Sequence, residues 1–106
     1  MKIIITENKF DDIVDKYLTD TLGSEFHSHS HPNPASDYIW YTDKYGTPVF
    51  ERDSDGFGVR EDIWENLRDF FGFSPLIVDR YLIKWLRENL YLDIDPSEFY
   101  TFEKGD

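Results

Sequence analysis

The chain has 106 residues, with 22 Asp or Glu against 11 Lys or Arg, giving a formal charge of −11 at pH 7. That length supports one hydrophobic core, and the charge repels phosphate backbones and anionic lipid, so direct nucleic-acid binding is excluded as the expected activity. The absence of Cys excludes a disulfide framework, a thiolate metal site and a Cys nucleophile, while three Trp, seven Tyr and nine Phe supply the large buried side chains that an acidic disordered chain lacks.

In chain order, Ile3 to Ile5 is the only N-terminal apolar run. It is far shorter than a signal-peptide core or the roughly 20 residues of a membrane span, so no membrane association and a cytoplasmic setting are expected. Lys2 to Ile5 reads as a short strand and Thr6 as a helix N-cap. Phe10, Ile13, Val14, Tyr17 and Leu18 then repeat at helical spacing until Gly23. The opposite face of this first helix carries Glu7, Asp11, Asp12, Asp15 and Asp20, either a solvated surface or an acidic docking stripe.

Residues 24–37 (SEFHSHSHPNPASD) hold three His and two Pro without periodicity and are expected to be a flexible loop. Tyr38 to Thr42 and Thr47 to Arg52 read as the strands of a β-hairpin turning at Asp43, Lys44, Tyr45 and Gly46. The stretch Asp53, Ser54, Asp55, Gly56 breaks the second strand. Ile63, Trp64, Leu67, Phe70 and Phe71 mark a second helix closing at Gly72. Ser74 and Pro75 open a third, in which Leu76, Val78, Tyr81, Leu82, Trp85, Leu86 and Leu90 are apolar around much of the circumference, as suits a central helix. Asp95, Pro96 and Glu98 form the cap, first-turn proline and acid of a short terminal helical turn, after which the chain is expected to end polar. The expected architecture is a single acidic α+β domain over residues 1–106.

Two sets of residues have metal-ligand chemistry. His27, His29 and His31 alternate, so an extended backbone would point three imidazoles the same way, a ligand set for Zn. Within them, His29, Ser30, His31 and Pro32 resemble the H-x-H-P core of JAMM metalloproteases. That resemblance implies two His ligands, a downstream Asp and an upstream Glu acting on water. Ser36 and Asp37 are adjacent here, where the family separates its Ser and Asp from the core by fixed distances, and Glu7 and Glu25 are the only upstream glutamates. The second set is Glu51, Asp53, Asp55 and Gly56 with Asp62, which resembles the oxygen-ligand spacing of an EF-hand Ca loop. Asx-type turn chemistry followed by acids at a helix N-terminus explains the same residues without an ion. A third feature, the short connection Gly72, Phe73, Ser74, has helix-turn-helix form with Arg80, Lys84 and Arg87 on one face of the second helix. The acidic whole favours a simple helical hairpin instead.

The opening KIIITENKFDDIVDKYL, together with the aromatic strand, D-x-x-G turn, V-F-E strand and I-W helix, resembles small acidic proteins of tailed bacteriophages. That resemblance implies a phage-infected host cytoplasm or a virion as the setting, without any assigned activity. Charge and aromatic content together lead to a non-enzymatic protein–protein interaction module, an inhibitor or nucleic-acid mimic that binds a basic host or phage protein. Its expected contact residues are Glu7, Asp11, Asp12, Asp15, Tyr38, Trp40, Tyr41 and Asp43. The alternatives are a Zn- or Ca-binding protein, including a metal-dependent hydrolase, and a minor virion component.

Overall fold

The computed structural model describes residues 7–103. The expected strand Lys2 to Ile5 and the Thr6 cap lie outside them. The fold is α+β: among the described residues, three helices and a five-stranded sheet enclose one buried cluster of apolar side chains.

Helix α1 (Glu7–Leu22) buries Val14, Leu18 and Leu22, one residue per turn along a single stripe. Its stripe meets α3 (Pro75–Leu90), where Val78, Leu82, Ile83, Trp85 and Leu86 are buried. Pro75 occupies the first turn of α3 as expected, but Ser74 serves through its backbone: its carbonyl accepts from Ile77 N and Val78 N, and its hydroxyl makes no cap bond. Leu76, counted among the apolar positions of that helix, is 76% exposed. Helix α2 (Glu61–Phe71) buries Ile63 and Leu67 and stops at Gly72. It packs against α3 as a helical hairpin, pinned by Trp64 Nε1 donating to Asp79 Oδ1 at 2.7 Å.

The sheet runs β1 (His27–Ser30), β2 (Ile39–Thr42), β3 (Pro48–Asp53), β4 (Gly56–Arg60) and β5 (Phe99–Phe102) in spatial order. The first four strands form an antiparallel meander, and β5 returns through the two helices to lie parallel to β4. The hairpin β2–β3 is the one the alternating pattern predicts, with a bulge that lets neighbouring Val49 and Phe50 both reach the core.

Three strands correct the sequence expectation. Residues 24–37 are not one loop. Phe26 inserts against Phe50 and Trp85, with ring centroids 5.4 and 6.1 Å away, and this draws the following residues alongside β2 as the edge strand β1. Asp53 to Gly56 do not end the sheet. The Asp53 carboxylate accepts from Asp55 N and Gly56 N, closing a tight turn into β4. The chain beyond Glu98 does not end polar either: Phe99 pairs with Phe57 and continues as β5. The short turn before it is as expected, a 3-10 turn at Pro96–Glu98 with Asp95 accepting from Ser97 N. Gly56, at φ +147°, is needed there, because a Cβ would run into the backbone of Glu98.

No helix among the described residues is long and apolar enough to cross a membrane. All three helices pack on one face of the sheet, through Phe50, Phe57 and Val59. The other face carries no helix among the described residues.

Candidate functional site

Side chains alternate along a strand, and partners across a ladder share a face. The register therefore sets His29, Trp40, Glu51, Gly58 and Tyr100 in one row across all five strands on the helix-free face. Two residues along from members of this row, on the same face, stand Tyr38, Asp53 and Phe102. Rings cover this surface in place of a second layer. Trp40 is flanked by stacked His29 (5.3 Å, interplanar 16°) and stacked Tyr38 (5.6 Å, 28°). The Tyr100 ring lies over Gly58, where a Cβ would come within 2.5 Å of Tyr100 Cε2. Gly58 is thus the gap in the row that admits the ring.

Two carboxylates sit among these rings. The Tyr100 hydroxyl donates to Asp53 Oδ2 at 3.4 Å, and Tyr38 stands beside Glu51, both lining one groove. Burial, then the negative charge of Glu51 and Asp53, holds both phenols above the ordinary tyrosine value. These phenols remain neutral donors at physiological pH while the carboxylates keep accepting capacity. A groove of about 370 Å³ crosses the face, lined by His31, Tyr38, Trp40, Pro48, Glu51 and Phe102. Electron-rich ring faces beside carboxylates attract a cationic side chain by cation–π and charge-assisted hydrogen bonding.

Of the contact residues expected from sequence, Tyr38 and Trp40 are in this site. Tyr41 is not: the strand alternation turns it to the helix side, where it packs towards Phe57 (6.2 Å) and the core. Asp43 holds the hairpin turn, its Oδ1 accepting from Tyr45 N and Thr47 N. Asp11 accepts from the Tyr81 hydroxyl at 2.8 Å and ties α1 to α3, and Asp15 lines the same seam beside Lys84. Asp12 is exposed on α1, across the sheet from the ring row. The Glu7 side chain lies outside the described residues. The acidic stripe and the aromatic anchors expected as one contact surface are therefore on opposite sides of the sheet.

The metal-ligand sets do not converge. Among the described residues no three His, Asp or Glu side chains form a group able to hold an ion. His27 faces Glu25 (3.6 Å), His29 Nε2 meets Thr42 Oγ1 (3.0 Å), and His31 Nδ1 accepts from Asn33 N (3.0 Å), three separate partners spread along the edge. The Ca-loop spacing folds as the β3–β4 hairpin instead. Asp53 and Asp55 are at its turn, while Asp62 follows β4 at the other end, roughly 13 Å of strand away, bound to Arg60 and to Ile63 N. Arg80, Lys84 and Arg87 do share one groove of α3, with Leu76, Ile83 and Pro96. Lys84 pairs there with Glu88 at 3.5 Å and Arg87 donates to the Ile94 carbonyl at 2.6 Å, so internal contacts already engage two of the three.

Glu51, Asp53, Gly58, Tyr100 and Phe102 are members of the face that sequence reasoning assigned elsewhere or passed over. The two-residue spacing of Glu51 and Asp53 with Tyr38 and Trp40 was the available signal. No family model, curated protein or solved structure matches the chain.

Proposed function

We propose that this protein is a non-enzymatic interaction module that binds a basic segment of a partner protein on the helix-free face of its sheet. The observation that carries this reading is the continuous row of His29, Trp40, Glu51 and Tyr100, flanked by Tyr38, Asp53 and Phe102. Aromatic anchors at the centre of a patch are where binding energy concentrates, and carboxylates among them select for Lys or Arg. The overall charge of −11 favours the same class of partner at longer range. Acids lie separately on α1, at the hairpin turn and on the sheet face, which favours a compact ring-centred site over a nucleic-acid-like track. The resemblance to small acidic phage proteins supports a host protein as target and an inhibitory outcome.

The test is capture of a basic partner by the tagged protein across a salt series, in parallel with a Trp40→Ala, Glu51→Gln variant. Loss of a central aromatic of this kind costs upwards of 1–2 kcal/mol, so retention is expected to fall about tenfold or more in the variant and to weaken as salt rises. Equal capture by both proteins at every salt concentration would overturn the reading.

A further inference from the structure

Resting on that reading, we propose that the basic segment binds in extended form, as an added strand along the outer edge of β1. Among the described residues no strand pairs with that edge, and all four residues of β1 are exposed. Its hydrogen-bond phase follows from one contact: His31 N donates to Tyr38 O at 3.2 Å. Bonded pairs alternate along an antiparallel ladder, so His29 and His27 also turn their backbone groups to β2. The N–H and C=O of Ser28 and Ser30 therefore point away from the sheet.

Natural sheets guard such an edge with Lys, with Pro or with a bulge. Within β1 there is none of these, and residues 17–43 contain no Lys or Arg. Glu25 stands before the strand and Asp37 stands beyond it, both exposed, so the edge is flanked by negative charge alone. Pro32 and Pro34 follow immediately and limit how far a pairing can extend, which fixes the register on Ser28 and Ser30. An added strand would lie about 4.8 Å from β1, and its alternate side chains would emerge beside His29, roughly 10 Å from the line of Trp40. An arginine side chain covers most of that gap and sets its guanidinium over His29 at the near edge of the Trp40 ring, with the Glu51 carboxylate one strand beyond. Backbone pairing with pocketing of alternate side chains is the physics of strand addition, and the edge and the ring row here are contiguous.

The probe is a synthetic eight-residue peptide alternating arginine and threonine, titrated into isotope-labelled protein. Two companion peptides accompany it, one N-methylated on alternate amides and one with glutamate in place of arginine. The expected result is that the Ser28 and Ser30 amides shift and exchange at least tenfold more slowly, while both companions bind at least tenfold more weakly. If the Trp40 indole and His29 signals move but the Ser28 and Ser30 amides do not, or the N-methylated peptide binds equally, strand addition fails and the reading of the face stands. If no signal on the face moves at millimolar peptide, the reading of the face fails as well. Protection of Ser28 and Ser30 that rises with protein concentration alone would make a second copy of this chain the occupant and overturn the proposal.

Discussion

Gly58 shows how one missing side chain shapes the sheet face. Its Cα lies under the Tyr100 ring, and an added methyl would come within 2.5 Å of ring carbon. Gly58→Ala is expected to push the ring off the row, lengthen its contact with Asp53 and destabilise the fold by about 1–3 kcal/mol, read from urea unfolding. Gly56→Ala should cost more, because the clash there is with Glu98 backbone, which cannot swing aside as a ring can. Tyr38 and Tyr100 also make a prediction about pH. The folded protein holds both phenolic protons more tightly than the unfolded chain, whose tyrosines titrate near 10. The resulting stabilisation is complete below about pH 10 and is lost as pH rises through the folded-state values. Melting temperature should therefore fall through the alkaline range, and Tyr100→Phe should flatten that fall. An unchanged alkaline slope in the variant would remove Tyr100 from the cause.

Three polar ties position the helices: Trp64 to Asp79, Tyr81 to Asp11, and Trp85 Nε1 to Thr19 Oγ1 at 3.1 Å. Trp85 is 2% exposed, so its indole N–H has no water to replace a lost partner. Thr19→Val, close in shape, is expected to cost about 1–3 kcal/mol with an unchanged urea m-value. A cost near zero would mean that the donor finds another acceptor. At this scale the sequence was uneven as a guide. Helices α1, α2 and α3 were legible because each repeats apolar residues at helical spacing, and β2–β3 because both strands meet across a glycine-bearing turn. Strand β1 was illegible because HSHS is polar on both faces, and its pairing is imposed by Phe26 from outside the strand. Strand β4 was hidden by its two glycines, required by Glu98 and Tyr100 some forty residues later in sequence. The site suffered likewise: Tyr38 and Trp40 were legible as a pair, but their neighbours arrive only through the register, and Tyr41, one residue past Trp40, turns to the core.

At the scale of the whole molecule, charge and binding respond to salt with opposite signs. A formal charge of −11 on a chain this small opposes compaction through self-repulsion, and the screening length shrinks from about 30 Å at 0.01 M salt to about 10 Å at 0.1 M. Added salt is expected to raise the melting temperature of the free protein over that range, since three Lys or Arg side chains form ion pairs with carboxylates among the described residues and most of the described acids have none. The same salt should weaken binding of the arginine-bearing peptide, because attraction between Glu51, Asp53 and a guanidinium is screened while ring stacking is not. Glu51→Gln separates the two effects. It removes one charge of many, so the salt dependence of stability should hardly change, whereas the salt dependence of binding should become clearly shallower. If Glu51→Gln lowered affinity without altering that dependence, the carboxylate would be acting on its neighbour Tyr38, as a support for the ring stack and not as the counter-charge of the partner.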